Sequence, residues 1–154
     1  EKDSFNLALN GDGQYLGFLD IIDEYSLTKS GDLALYYTGL CYLNTGDFES
    51  AIDYLKDFSS DDAILSALAL GCIGDAYMEL EETDKALKYY KEAANHNENK
   101  FTTPRYLFKR AVILEANGDL ENALDLYKEI EESYPLSKVG QEIEKYVSRV
   151  ENAL

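Results

Sequence analysis

The stretch GLCYLNTGDFESAIDYL, residues 39–55, returns as GDAYMELEETDKALKYY at 74–90 and as AVILEANGDLENALDLY at 111–127. The copies are displaced by 35 and then 37 residues. A period of this length means one supersecondary unit stacked on copies of itself. Each copy reads as two amphipathic helices joined by a short turn: Thr45-Gly46-Asp47, Glu81-Glu82-Thr83 and Asn117-Gly118-Asp119. Gly46 and Gly118 suit the left-handed residue that ends a helix, and Asp47 and Asp119 can cap the next one. Gly39, Gly74 and Ala111 in the first helix are expected to face Ala51, Ala86 and Ala123 in the second. Tyr42, Tyr77, Leu55, Tyr90 and Tyr127 then fill the space around that close contact, as core residues.

Outward from the three copies the pattern continues more weakly. IIDEYSLTKSG at 21–31 returns as IEESYPLSKVG at 130–140, 109 residues later. This alignment makes residues 14–25 the second helix of an incomplete leading repeat, with Phe18 matching Tyr127. Residues 137–153 take the place of a further first helix, whose outer face (Lys138, Glu142, Lys145, Arg149) is polar, as the end of a stacked array requires. The expected organisation is a single all-α domain over 1–154, with a leading segment at 1–31, repeats at 32–65, 67–100 and 104–137, and a capping helix at 138–154. Residues 95–104 form the one irregular connection and account for the longer second spacing; Thr103-Pro104 then starts a helix, and Pro135 closes the third repeat.

The chain has 154 residues, 45% hydrophobic and 29% charged, which is an ordinary globular composition for one domain and excludes disorder of the whole. Thirty acidic against fourteen basic side chains leave a net charge of −16. That balance repels phosphate backbones and anionic lipids, so neither nucleic acid nor a membrane surface is an expected partner. One histidine, two cysteines and no tryptophan leave little material for a metal site or a catalytic triad, whereas thirteen Tyr and six Phe supply side chains for cores and contacts. Cys41 and Cys72 lie in apolar helical stretches and read as buried thiols. The longest weakly polar run, residues 63–74, is too short to cross a bilayer. Because the chain opens at Glu1 without an initiator methionine, it reads as a trimmed or processed piece.

The glycine, alanine and aromatic positions of the three copies resemble the tetratricopeptide repeat, from residue 32 to about residue 137. The departures are modest: the family's first-helix tryptophan is Leu35, Leu70 and Leu107 here, and its terminal proline is present only as Pro135. The resemblance implies a right-handed α-α superhelix of antiparallel helix pairs with a C-terminal capping helix. It also implies a non-catalytic scaffold that holds a protein segment in the concave groove lined by the first helices. Carried onto this sequence, that lining is Tyr36, Leu40 and Asn44, then Asp75, Met78 and Glu79, then Arg105, Phe108 and Val112, with Leu33, Leu43, Leu68, Gly71 and Glu115 beside them. Some members clamp a C-terminal carboxylate with basic and amide residues. Only Arg105 and Lys109 have counterparts here, and Tyr36, Leu40 and Cys72 at the other clamp positions argue against that specificity. The opening DSFNLALNGDG (3–13), the GFLDIIDEY stretch (17–25) and TTPRYLFKRA (102–111) resemble bacterial membrane-anchored repeat proteins akin to translocon-associated envelope chaperones. That likeness implies a transmembrane anchor upstream of Glu1, with this domain exposed to the periplasm or the cytoplasm.

Other constellations have plainer readings. Asn10-Gly11-Asp12-Gly13 looks like the start of a calcium loop, but the twelfth loop position is Ile21 where a glutamate is needed, so a turn is expected. His96 stands in a polar loop with no second ligand nearby. The acidic runs around Glu79 to Asp84 and from Glu115 to Glu132 read as solvated helix faces, the alternative being a docking strip for a basic partner. No nucleophile, base and orienting group assemble, so no enzyme activity, cofactor or metal is expected. The expected function is a binding scaffold for basic or apolar protein segments; the alternative is a structural module that forms homo-oligomers through its end helices.

Overall fold

The structure, a computed structural model, describes residues 2–154. Small and apolar residues at helical spacing fold them into α1 (Lys2–Asn10), α2 (Phe18–Tyr25), α3 (Lys29–Thr45), α4 (Phe48–Asp57), α5 (Ala63–Glu79), α6 (Thr83–Asn95), α7 (Thr103–Ala116), α8 (Leu120–Ser133) and α9 (Glu144–Glu151). A single 3-10 turn, Gly140–Glu142, precedes α9. From α2 onward each helix packs mainly on its neighbours in the chain, while α1 packs on α3 more than on α2, so the result is an all-α solenoid of antiparallel pairs with a distinct C-terminal helix.

One backbone bond recurs in all three turns. The N–H of Asp47 donates to Tyr42 O at 3.0 Å, Glu82 to Tyr77 O at 2.9 Å and Asp119 to Leu114 O at 2.9 Å. This bond closes the end of the first helix and requires a left-handed residue just before the donor. Gly46 (φ 88°) and Gly118 (φ 82°) supply it, but in the second repeat the residue is Glu81, at φ 60°. A side chain in that region costs about 1 kcal/mol that glycine avoids. Glu81→Gly is therefore expected to stabilise the protein by about 0.5–1 kcal/mol, less a small entropic loss in the unfolded chain. Urea unfolding measures this, and a variant no more stable than the parent sinks the strain argument.

Ala51, Ala86, Ala111 and Ala123 are all fully buried where paired helices meet. A Cβ on Gly39 would lie 2.5 Å from Leu55 Cγ and 3.3 Å from Ala51 O, the expected close contact. At Gly74 the neighbour is instead the Tyr90 ring, 2.7 Å from such a Cβ, because the larger tyrosine occupies the place that Leu55 fills one repeat earlier. Tyr42 is only half-buried; it stacks on Tyr54 at 5.4 Å at the edge of the solenoid, as Tyr77 stacks on Tyr89 at 5.4 Å.

The 109-residue echo has a physical basis. Thr28 Oγ1 accepts from Gly31 N (3.1 Å) and donates to Tyr25 O (2.8 Å); Ser137 Oγ accepts from Gly140 N (2.9 Å) and donates to Tyr134 O (2.8 Å). A Cβ would stand 2.2 Å from Tyr25 O at Gly31 and 2.1 Å from Tyr134 O at Gly140, so both corners need glycine. The same corner sets α3 on α2 and the terminal segment on α8.

Both ends depart from expectation. Residues 14–17 are not helical: α2 begins at Phe18, where the Asp20 carboxylate accepts from Gly17 N at 3.0 Å. Ahead of it lies a helix the sequence reading lacks, α1, which buries Leu9 and packs on α3. Its end is Asn10-Gly11-Asp12, with Gly11 at φ 70°, and Asp12 Oδ1 accepts from Gln14 N and Tyr15 N at 2.9 and 2.8 Å. At the other end residues 137–143 are turns and 3-10 structure, because the Ser137–Gly140 corner consumes the first turn of the expected helix. Ile143, Val147 and Val150 are buried, while Lys138, Glu142, Lys145 and Arg149 face water.

Candidate functional site

The C-terminal halves of α3 and α5, with Tyr90 of α6 and Lys109 of α7, enclose an open groove of about 670 Å³. Of the nine residues carried over from the family, Asn44, Asp75, Met78 and Glu79 line it. Leu43, Phe48 and Lys2 complete its walls.

The other five lie outside. Tyr36 is buried, edge-on to Tyr37 at 5.5 Å and tilted on Phe58 at 5.3 Å, and its burial pushes the phenol up to about 12. It is a packing residue, with its ring turned into the seam between repeats. Leu40 is half-buried. Phe108 is covered by the terminal helix, with Tyr146 edge-on at 4.8 Å and Tyr127 at 5.9 Å. Arg105 is exposed, its guanidinium 5.8 Å over the Tyr106 ring, and Val112 is exposed without joining the groove.

Within the groove the polar groups are unequally free. Asp75 Oδ1 accepts from both Tyr90 Oη and Lys109 Nζ, and the same ammonium sits 5.2 Å over the Tyr90 ring. Burial and that carboxylate together raise the Tyr90 phenol far above its usual range. Asp75 is thus neutralised by the next repeat, and its expected role as a free acid for a partner does not fit its surroundings. Asn44 donates its amide to Leu40 O at 2.7 Å, which leaves its carbonyl oxygen for a ligand. Glu79 is exposed at the groove floor's edge.

A like cluster forms in the next repeat, with its tyrosine in register but its acid one helical turn on from Val112, which takes the position of Asp75. Glu115 Oε2 accepts from Tyr127 Oη at 2.8 Å and from Arg149 at 2.7 Å. Burial of Glu115 acts to raise its carboxyl, but the Arg149 and Tyr127 bonds outweigh it and hold the group below its usual value. In both clusters the cation lies 34 residues after the acid, close to one repeat length. That spacing is the signal by which sequence reasoning can find Lys109 as a groove residue. At the positions of Asp75 and Tyr90 in the first repeat stand Leu40 and Leu55, so only the later seams are latched by charge.

Among the described residues no group of three His, Cys, Asp or Glu side chains could hold a metal. Burial pushes the Cys72 thiol up to about 11, which leaves it a poor nucleophile. No helix of the described residues is long and apolar enough to cross a membrane.

Two family models, both described as tetratricopeptide repeat, match residues 33–62 and 73–138. The chain is a tetratricopeptide-repeat protein. The second match runs straight through the irregular connection before α7, so that connection is an insertion within the array. No curated protein matches the chain. The crystal structure of MamA is similar in fold, with a TM-score of 0.67 at 19% identity over 98% of this chain and 89% of that one. At that identity the likeness extends to the repeat architecture alone, including the leading pair and the terminal helix that lie outside the two family matches.

Proposed function

We propose that this repeat protein is a non-catalytic scaffold that holds a segment of a partner protein in the groove between α3 and α5. The observation that carries the reading is the convergence of Asn44, Met78 and Glu79 on one open groove of about 670 Å³. A solenoid of stacked pairs is already ordered, so it loses little conformational freedom when a segment settles on it. Leu43 and Met78 offer apolar contact and Glu79 a carboxylate, in a chain whose net charge of −16 attracts cations at long range. The segment that fits is basic and apolar, with its Lys or Arg beside Glu79.

A peptide array, followed by titration of the best Lys- and Leu-bearing sequence, tests this. Glu79→Lys is expected to weaken that peptide about fivefold, since reversing one exposed charge is worth roughly 1 kcal/mol. Asp75→Asn, by contrast, removes the latch to Lys109 and is expected to act on stability more than on selectivity. If Glu79→Lys leaves the profile unchanged while charge reversal at Glu121 and Asp125 abolishes binding, the acidic face of α8 is the site.

We also propose that the domain serves as an adaptor or chaperone-like part of a bacterial envelope complex, on the strength of the resemblance in its opening segment; capture of partners by the full-length protein tests it. A second reading, assembly through the ends, is favoured by the exposed apolar residues there: Leu7, Tyr15, Leu16 and Leu27 at one end, Leu136 and Leu154 at the other. Sedimentation of the isolated domain separates the two, because a monomer at all concentrations removes the assembly reading.

A further inference from the structure

The face of α5 turned away from Asp75 and Glu79 carries Ser66, Leu70 and Ile73, about half a helical turn round. Two adjoining cavities of about 410 and 530 Å³ open along it and share Leu70 and His96. Their floor is apolar, formed by Leu55, Phe58, Leu70 and Tyr89. Their rim carries Lys56, Lys88 and Lys91 against one carboxylate, Glu92.

This is an unusual concentration in a chain with fourteen basic and thirty acidic residues. Lys88 stands 3.9 Å from Glu92, but among the described residues no carboxylate lies within ion-pair distance of Lys56 or Lys91. Lys56 is held in place by its bond to Tyr77 Oη at 3.1 Å and by the Tyr77 and Tyr89 rings, 5.6 and 6.0 Å from its ammonium. Aromatic faces and a hydroxyl stabilise the cation without neutralising it. A preformed, positively rimmed channel over an apolar floor therefore lies on the opposite side of α5 from the groove.

We propose that this channel binds an acidic, apolar-bearing segment of a second protein partner, with carboxylates on Lys56 and Lys91 and aliphatic side chains over Leu70 and Phe58. The scaffold then joins two segments of opposite charge, one on each side of α5. A nucleic acid fits less well, because a polyphosphate longer than the channel runs onto a surface that is otherwise strongly negative.

Fluorescence anisotropy with a short labelled peptide of alternating Glu and Leu tests the channel, with a Lys and Leu peptide and a single-stranded oligonucleotide as the other arms. The Glu and Leu peptide is expected to bind the whole domain, to weaken as salt is raised, and to weaken about fivefold with Lys91→Glu. Lys91 is exposed and touches neither tyrosine ring, so this variant keeps its fold; Lys56→Glu combined with it is expected to weaken binding further. Glu79→Lys is expected to leave the Glu and Leu peptide unaffected while it weakens the Lys and Leu peptide, so failure in one arm is distinct from failure in the other. No binding of the Glu and Leu peptide, or binding that ignores Lys91→Glu, overturns the proposal. An oligonucleotide that binds as tightly and responds to the same substitutions replaces it with a general polyanion site.

Discussion

Tyr106→Ala is expected to destabilise the protein by about 3–5 kcal/mol, the range for removing a large buried aromatic ring, and to lower its thermal midpoint by roughly ten degrees. Tyr106 is 2% exposed, lies 6.1 Å from the Tyr90 ring in a stacked pair, and fills a notch that α5 leaves open at Gly71. A Cβ on Gly71 would stand 2.1 Å from the Tyr106 ring carbons. Gly71→Ala alone is therefore expected to cost about 1–3 kcal/mol through overpacking. The double-mutant cycle is the sharper test: in a Tyr106→Leu background much of the Gly71→Ala cost should vanish, because the two sites share one space. Additive costs would mean that the notch and the ring are not complementary, and that the seam between repeats two and three is held elsewhere. Calorimetry on the four proteins decides it.

This seam illustrates what was legible in the sequence. The repeat period, the three turns and the pairing of helices could be read because each rests on local chemistry that recurs: a left-handed residue ahead of the closing backbone bond, and buried alanines where paired helices meet. The expected aspartate caps recur only in part: Asp47 accepts from Ser50 N at 3.2 Å, whereas Asp119 makes no such bond and instead accepts from the Asn122 amide at 2.9 Å. The first helix of the leading pair could have been read on the same grounds, since Asn10-Gly11-Asp12 repeats the turn at Asn117-Gly118-Asp119. Its shift of 107 rather than 109 residues from the α8 echo hid it. The site was legible only in part. Which face of α5 lines the groove follows from the helical period, and Asn44, Met78 and Glu79 sit there. That Asp75 is neutralised depends on Lys109 reaching back one repeat, and that Tyr36 is inward depends on how Phe58 and Tyr37 crowd it. Both are properties of contacts between repeats, where a small rotation of a helix changes which side chains meet, and no pattern within one repeat records it.

Truncation after Pro135 is expected to remove most of the stability of the third repeat. The lost segment buries Ile143, Val147 and Val150, worth roughly 2 kcal/mol each on complete burial, so about 6 kcal/mol is an upper estimate for those side chains alone. Tyr146 leaves with them, uncovering Phe108 and Tyr127, whose rings lie 4.8 and 5.5 Å from it. Arg149 leaves too, and Glu115 keeps only Tyr127 as a partner. Since repeats in a solenoid are stabilised through their neighbours, the loss should spread inward and fade. Amide exchange in α7 and α8 is expected to accelerate strongly, exchange in α5 and α6 less, and exchange in α3 and α4 hardly at all. The gradient is the informative part. A uniform acceleration would mean that the chain unfolds as one cooperative unit in which the end helix matters only for total stability. Unchanged exchange in α7 and α8 would mean that α9 does not cap the third repeat in solution. Arg149→Ala separates charge from packing: it removes the Glu115 bond but keeps the apolar face of α9, and since the guanidinium is largely exposed it is expected to reproduce only a small part of the acceleration.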